Sequence, residues 1–194
     1  MSVIRDWIYR ILVLVCTGLF AYSWFSVWWM AHIQALDVDA VKIFPYGGMD
    51  VNMGNYPQWL AGAENIMPGW FTPLMWVYFG IVIAVLVFCA FSANEKRIRL
   101  GKWNIPLLNL LVAGVGITFV AVVAAAAGVI ALNASNFYGG VLNGTIYVEM
   151  SEHEASYVTM GLQTGFWITC IVGPVLILLG LLRNVITGNR GSVK

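Results

Sequence analysis

Residues 105–132 read IPLLNLLVAGVGITFVAVVAAAAGVIAL, 28 consecutive positions without an Asp, Glu, Lys, Arg or His. As a helix this run would be roughly 42 Å long at about 1.5 Å per residue, more than the roughly 30 Å of a bilayer's hydrocarbon core. A soluble fold has little use for such a segment. It reads as a membrane span that tilts or projects beyond the hydrocarbon.

Three further runs have the same character but for His32 near the end of the first: Ile11–Ile33, Phe71–Ser92 and Tyr157–Leu182. The chain has 194 residues, 60% of them apolar and only 10% charged, with a mean hydropathy of +0.82. Soluble domains carry about a quarter charged residues. The fold expected is therefore an all-α integral membrane protein, a bundle of four transmembrane helices. Arg5 and Arg10 before the first run imitate the start of a secretory signal. The stretch after them is too long for one and leads into Trp24, Phe25, Trp28 and Trp29 instead of a small-residue cleavage site, so it reads as a retained anchor.

Charge sets the expected orientation. Nine of the ten basic residues (Arg5, Arg10, Lys96, Arg97, Arg99, Lys102, Arg183, Arg190 and Lys194) fall in the two tails and in the connection 93–104. Against Asp6 and Glu95 they leave these segments a net charge of +7, whereas the connections 34–70 and 133–156 hold seven acids and Lys42, a net of −6. Short Lys/Arg-rich segments stay on the cytoplasmic side, which puts both termini inside and the two longer loops outside. The basic inner face suits anionic lipid headgroups, so bound lipid is expected and nucleic acid is not.

Outer loops of this length carry structure or function of their own. Val41–Phe44 and Met49–Met53 flank the turn Pro45-Tyr46-Gly47-Gly48 and read as a hairpin. Gly144–Glu149 is rich in strand-forming residues and reads as a third strand of the same small extracytoplasmic sheet. Four spans beneath such a sheet resemble the layout of the claudin family. The paired loop cysteines and the Gly-Leu-Trp segment of that family are absent, and Cys16, Cys89 and Cys170 all lie inside spans, so the resemblance implies architecture and no functional residues.

The candidate sites are few. His32 and His153 are the only histidines, and with Asp37, Asp39 and Glu149 they offer a His/carboxylate set for a transition metal if three converge. Haem has no paired histidines within the spans. A proton- or ion-coupled pathway would need intramembrane ionisable groups, leaving polar residues such as Asn109 and Gln163 as glue between helices. Small residues one turn apart (Ala121/Ala125, Ala124/Gly128, Gly161/Gly165) read as packing faces, and Gly173-Pro174 reads as a kink. Trp24, Phe25, Trp28 and Trp29 read as an aromatic wall on one helix, able to seat a lipid or a neighbouring helix. Asn143-Gly144-Thr145 and Asn133-Ala134-Ser135 match the glycan acceptor pattern.

With only short cytoplasmic segments, the expected role is a non-catalytic structural or accessory subunit of a membrane complex, its outer loops presented to partner subunits. The alternatives are a self-assembling pore, junction or surface lattice, and a metal-binding subunit of a membrane enzyme.

Overall fold

A computed structural model of the chain describes residues 2–52, 69–92, 96–100, 103–136, 141–151 and 154–188. It contains four long helices, α1 (Ser2–Trp24), α2 (Phe71–Phe91), α3 (Leu107–Asn136) and α4 (Thr164–Ile186). Among the described residues there are also seven strands: β1 (Trp29–Ile33), β2 (Val38–Ile43), β3 (Met49–Val51), β4 (Arg97–Leu100), β5 (Trp103–Pro106), β6 (Gly144–Ser151) and β7 (Glu154–Leu162). All four helices are long and apolar enough to cross a membrane. The chain divides into two compact units, and the division cuts through every helix.

The first unit, here the tail unit, comprises Met1–Ala21, Tyr78–Val122 and Ile168–Lys194. Each of its helices buries one stripe at helical spacing: Tyr9, Val13, Cys16 and Phe20 on α1; Val82, Leu86 and Cys89 on α2; Leu108, Val112, Val115 and Phe119 on α3; Val172, Leu176 and Leu179 on α4. Phe20 is the hub of this core, stacked on Phe79 at 5.6 Å and edge-on to Phe119 at 4.8 Å. Glycines set the distance between α3 and α4. A Cβ added at Gly116 would lie 2.8 Å from the Gly173 carbonyl oxygen, and one at Gly180 would lie 2.6 Å from the Ala113 nitrogen. The connection expected as a plain loop is a hairpin, β4 paired antiparallel with β5.

The second unit, the sheet unit, comprises Tyr22–Val77 and Val123–Trp167. Its core is an antiparallel five-stranded sheet in the order β3-β2-β1-β7-β6. Trp29, Ala31 and Ile33 of β1, Val41 and Ile43 of β2, and Val158 and Met160 of β7 cover one face and pack with Ile130 of α3. The expected hairpin is present as β2 and β3, with Ile43 opposite Met49. Gly47 in its turn has φ of 78°, a conformation glycine adopts without strain.

The sheet is larger than the expected hairpin or three strands because two of the apolar runs are not helical throughout. The first run was expected as helix to Ile33, but α1 stops at Trp24 and the remainder becomes β1. The fourth was expected as helix from Tyr157, but 154–162 is β7 and α4 begins at Thr164. The physical reason lies in the alternation. Trp29, Ala31 and Ile33 are buried between less buried Met30 and His32, and Ser156, Val158 and Met160 alternate with exposed Tyr157 and Thr159. Period two specifies a half-buried strand, and each strand completes the ladder of the other from Trp29 opposite Leu162 to Ile33 opposite Val158.

Candidate functional site

The face of the sheet opposite this core carries a row of polar side chains across four strands. A β-bulge makes the row. The register of β1 against β2 passes from Ala31↔Val41 to His32↔Asp39, so Ala40 is the extra residue. Without it, Asp39 and Lys42 would lie on opposite faces, three positions apart. With it, Lys42 Nζ donates to Asp39 Oδ2 at 2.9 Å and His32 Nδ1 lies 2.9 Å from Asp39 Oδ1. The row continues through Thr159, which faces His32 on β7 and takes a hydrogen bond from Gln34 Nε2 at 2.9 Å. Thr145 of β6 ends it, its hydroxyl 3.2 Å from that of Thr159. Beside them the exposed rings of Tyr147 and Tyr157 meet edge to face at 5.3 Å.

The hydrogen bond with His32, and then that from Lys42, hold Asp39 below the usual carboxylate range, and the same contact with Asp39 raises Lys42 above its ordinary value. Asp37 stands at the β1–β2 turn with φ of 52°, a left-handed conformation that Asp tolerates better than most residues. Its carboxylate is 97% exposed and lies 3.5 Å from His32 Nε2. Of the metal candidates the structure thus brings His32, Asp37 and Asp39 together, with each ring nitrogen of His32 facing a different carboxylate. No group of three His, Cys, Asp or Glu arranged to hold a metal ion occurs among the described residues. His153 lies outside them, and Glu149 is described only by its place in β6, opposite Ala155.

The aromatic residues expected as one helical wall are divided between elements. Trp24, the last residue of α1, is buried and meets Trp76 of α2 at 6.5 Å. Phe25 follows the helix, stays exposed, and lies 6.0 Å from Trp76. Phe44 and Tyr46 from the β2–β3 turn extend this cluster, Tyr46 lying 5.3 Å from Trp76. That contribution was not legible in the sequence. Trp29 belongs to the core of the sheet unit instead, and Trp28 is buried against Phe166. The Trp28 indole donates to the Ser23 carbonyl at 3.1 Å, closing the end of α1, and that of Trp29 donates to the Leu142 carbonyl at 3.0 Å.

Gly161 and Gly165 do not form one helical face, because Gly161 is in β7 and Gly165 in α4. A Cβ at Gly165 would lie 2.7 Å from the Val27 carbonyl oxygen, so this glycine admits the chain leaving α1. Asn143 is exposed just before β6, accessible as a glycan acceptor must be, whereas Asn133 lies within α3. No protein-family model, no curated protein and no solved structure matches this chain.

Proposed function

We propose that the protein is a multi-pass membrane protein with both termini in the cytoplasm, serving as a non-catalytic accessory subunit that presents its sheet unit to partner subunits. The observation that carries this reading is the two-sided sheet: one face fixed by an apolar core, the other a polar row ending in two exposed tyrosines. Tyrosines held in place by a cross-strand partner supply rigid amphipathic area, which favours them in protein interfaces. Membrane placement is supported by the outward faces of the helices, where Ile81, Ile117, Ile171 and Leu181 are all more than half exposed. In water these would form an apolar surface far larger than a monomer tolerates.

The test is native mass spectrometry of the tagged chain extracted gently from its own membrane. Defined foreign subunits are the expected result, lost when Tyr147 and Tyr157 are both changed to Ala. A lone monomer would overturn the reading. A second reading, self-assembly into a pore, junction or lattice, is favoured by one observation: among the described residues β3 and β6 are the edges of the sheet, and β6 is eight residues long. An open edge of that length can pair with a second copy. The same measurement would then return a homo-oligomer.

A further inference from the structure

The tail unit gathers one polar or sulfur-bearing side chain from each helix into a single buried cluster: Tyr9 of α1, Cys89 of α2, Asn109 of α3 and Arg183 of α4. Tyr9 is 3% exposed and Asn109 6%. The Arg183 guanidinium lies over the Tyr9 ring at 5.6 Å, and its Nη1 donates to Asn109 Oδ1 at 3.4 Å. Cys89 is buried and adjoins Tyr9 and Arg183. Two enclosed donors of this cluster, the Tyr9 hydroxyl and Arg183 Nε, have no hydrogen-bond partner among the described residues. No described carboxylate pairs with Arg183.

A cation so placed is partly explained by the α4 carbonyl end, which favours positive charge in the last helical turn. That account leaves the two donors unmet, and a buried donor without an acceptor costs free energy that native structures rarely leave uncompensated. Arg183 as a whole is only part-buried while its Nε is enclosed, so an acceptor reaching both donors would have to enter past the exposed part of this side chain. Asn109 lies in the first turn of α3, which brings the positive end of that helix dipole to the same place. Donors, a fixed positive charge and a helix N-terminus together call for an oxyanion. The side-on edge of a guanidinium, Nε with one Nη, is the fork that grips two oxygens of one phosphate.

We propose that Tyr9, Asn109 and Arg183 form a binding site for a phosphate oxyanion, supplied by a phospholipid headgroup or by free phosphate. The headgroup source follows if the tail unit lies at the inner membrane face, while the free source does not depend on that placement. The test uses the full chain purified in a phosphate-free maltoside detergent, and the variants at Arg183 and Tyr9 assign to the tail unit whatever phosphate is bound. Native mass spectrometry counts retained phospholipid, and thermal unfolding is titrated with inorganic phosphate. A headgroup predicts one tightly held phospholipid, lost in Arg183→Gln and bound on the order of tenfold more weakly in Tyr9→Phe, which removes one hydrogen bond to a charged group. Free phosphate predicts no lipid adduct but a saturable rise in Tm, abolished in Arg183→Gln and weakened in Tyr9→Phe. If Arg183→Gln fails to fold, Tyr9→Phe, which keeps the ring and removes only the hydroxyl, decides by the same readouts. Wild-type protein that is folded yet holds no phospholipid and shows no phosphate-dependent shift overturns the proposal. So does equal binding in folded wild type and variants.

Discussion

Asp39 shows how one residue's ionisation depends on a single backbone irregularity. The bulge at Ala40 puts its carboxylate between His32 and Lys42, and those hydrogen bonds lower its pKa below the ordinary carboxylate range. A carboxyl group whose pKa is lower in the folded than in the unfolded state stabilises the fold above its unfolded pKa, and that contribution disappears as pH falls through the folded value. Asp39→Asn should therefore lower Tm most near neutral pH, and the gap to wild type should close as the pH drops below about 4. Thermal unfolding followed from pH 7 down to pH 3 checks this; a gap that stays constant would mean that the carboxylate charge contributes nothing. The sequence offered His32 with Asp37 and Asp39 as one candidate set, but the pairing of Asp39 with Lys42 was not legible in it. Asp39 and Lys42 are three apart in a strand, which ordinarily puts them on opposite faces, and nothing in the local sequence announces the bulge.

At the scale of elements, what could be read depended on whether a segment's pattern differed from its surroundings. The β2–β3 hairpin stands out because Pro45, Gly47 and Gly48 punctuate it between apolar residues. β1 and β7 do not, because each adjoins a helix without an intervening charge, and an apolar run of this kind looks alike whether it is a buried helix or a strand. Their two-residue alternation was the available signal, overwritten by the wider hydropathy of the runs that contain them. Helix packing was misplaced for a similar reason. Spacing alone singled out Gly128, yet a Cβ there meets nothing within 4 Å, and the close approach of α3 to α4 runs through Gly116, Gly173 and Gly180. Gly180→Ala forces a methyl group against the backbone of Ala113 and Asn109. It should destabilise the tail unit by about 1–3 kcal/mol through overpacking. Gly114→Ala, with open space around it, should be neutral or stabilising by up to about 1 kcal/mol from helix propensity. Unfolding of both variants in one detergent separates the cases, and equal effects would remove the glycines from any role in setting the spacing.

For the whole molecule, orientation is the property on which the reading of extracytoplasmic partners depends, and it rests on the distribution of charge. The +7 of the tails and the β4–β5 connection against the −6 of the two longer connections is a large asymmetry for a chain whose total is +1. Basic residues near span ends resist translocation, and acids contribute little, so the nine Lys and Arg residues carry the argument. The prediction is that β6 and the β4–β5 hairpin lie on opposite sides of the membrane. Thr145 is exposed on β6 and Ile98 is exposed on β4, so Thr145→Cys and Ile98→Cys report the two sides without altering the charge that sets them. Of the native cysteines, Cys16 and Cys89 are buried and Cys170 lies within α4, where the proposed bilayer covers it. A membrane-impermeant maleimide applied to intact cells should label Thr145→Cys, and should label Ile98→Cys only after the membrane is permeabilised. The reverse pattern would turn the sheet unit and its polar row toward the cytoplasm, ending the case for extracytoplasmic partners and for a glycan on Asn143. It would also move the Tyr9–Asn109–Arg183 cluster to the other leaflet, where a headgroup could still reach it but the excess of anionic lipid would not.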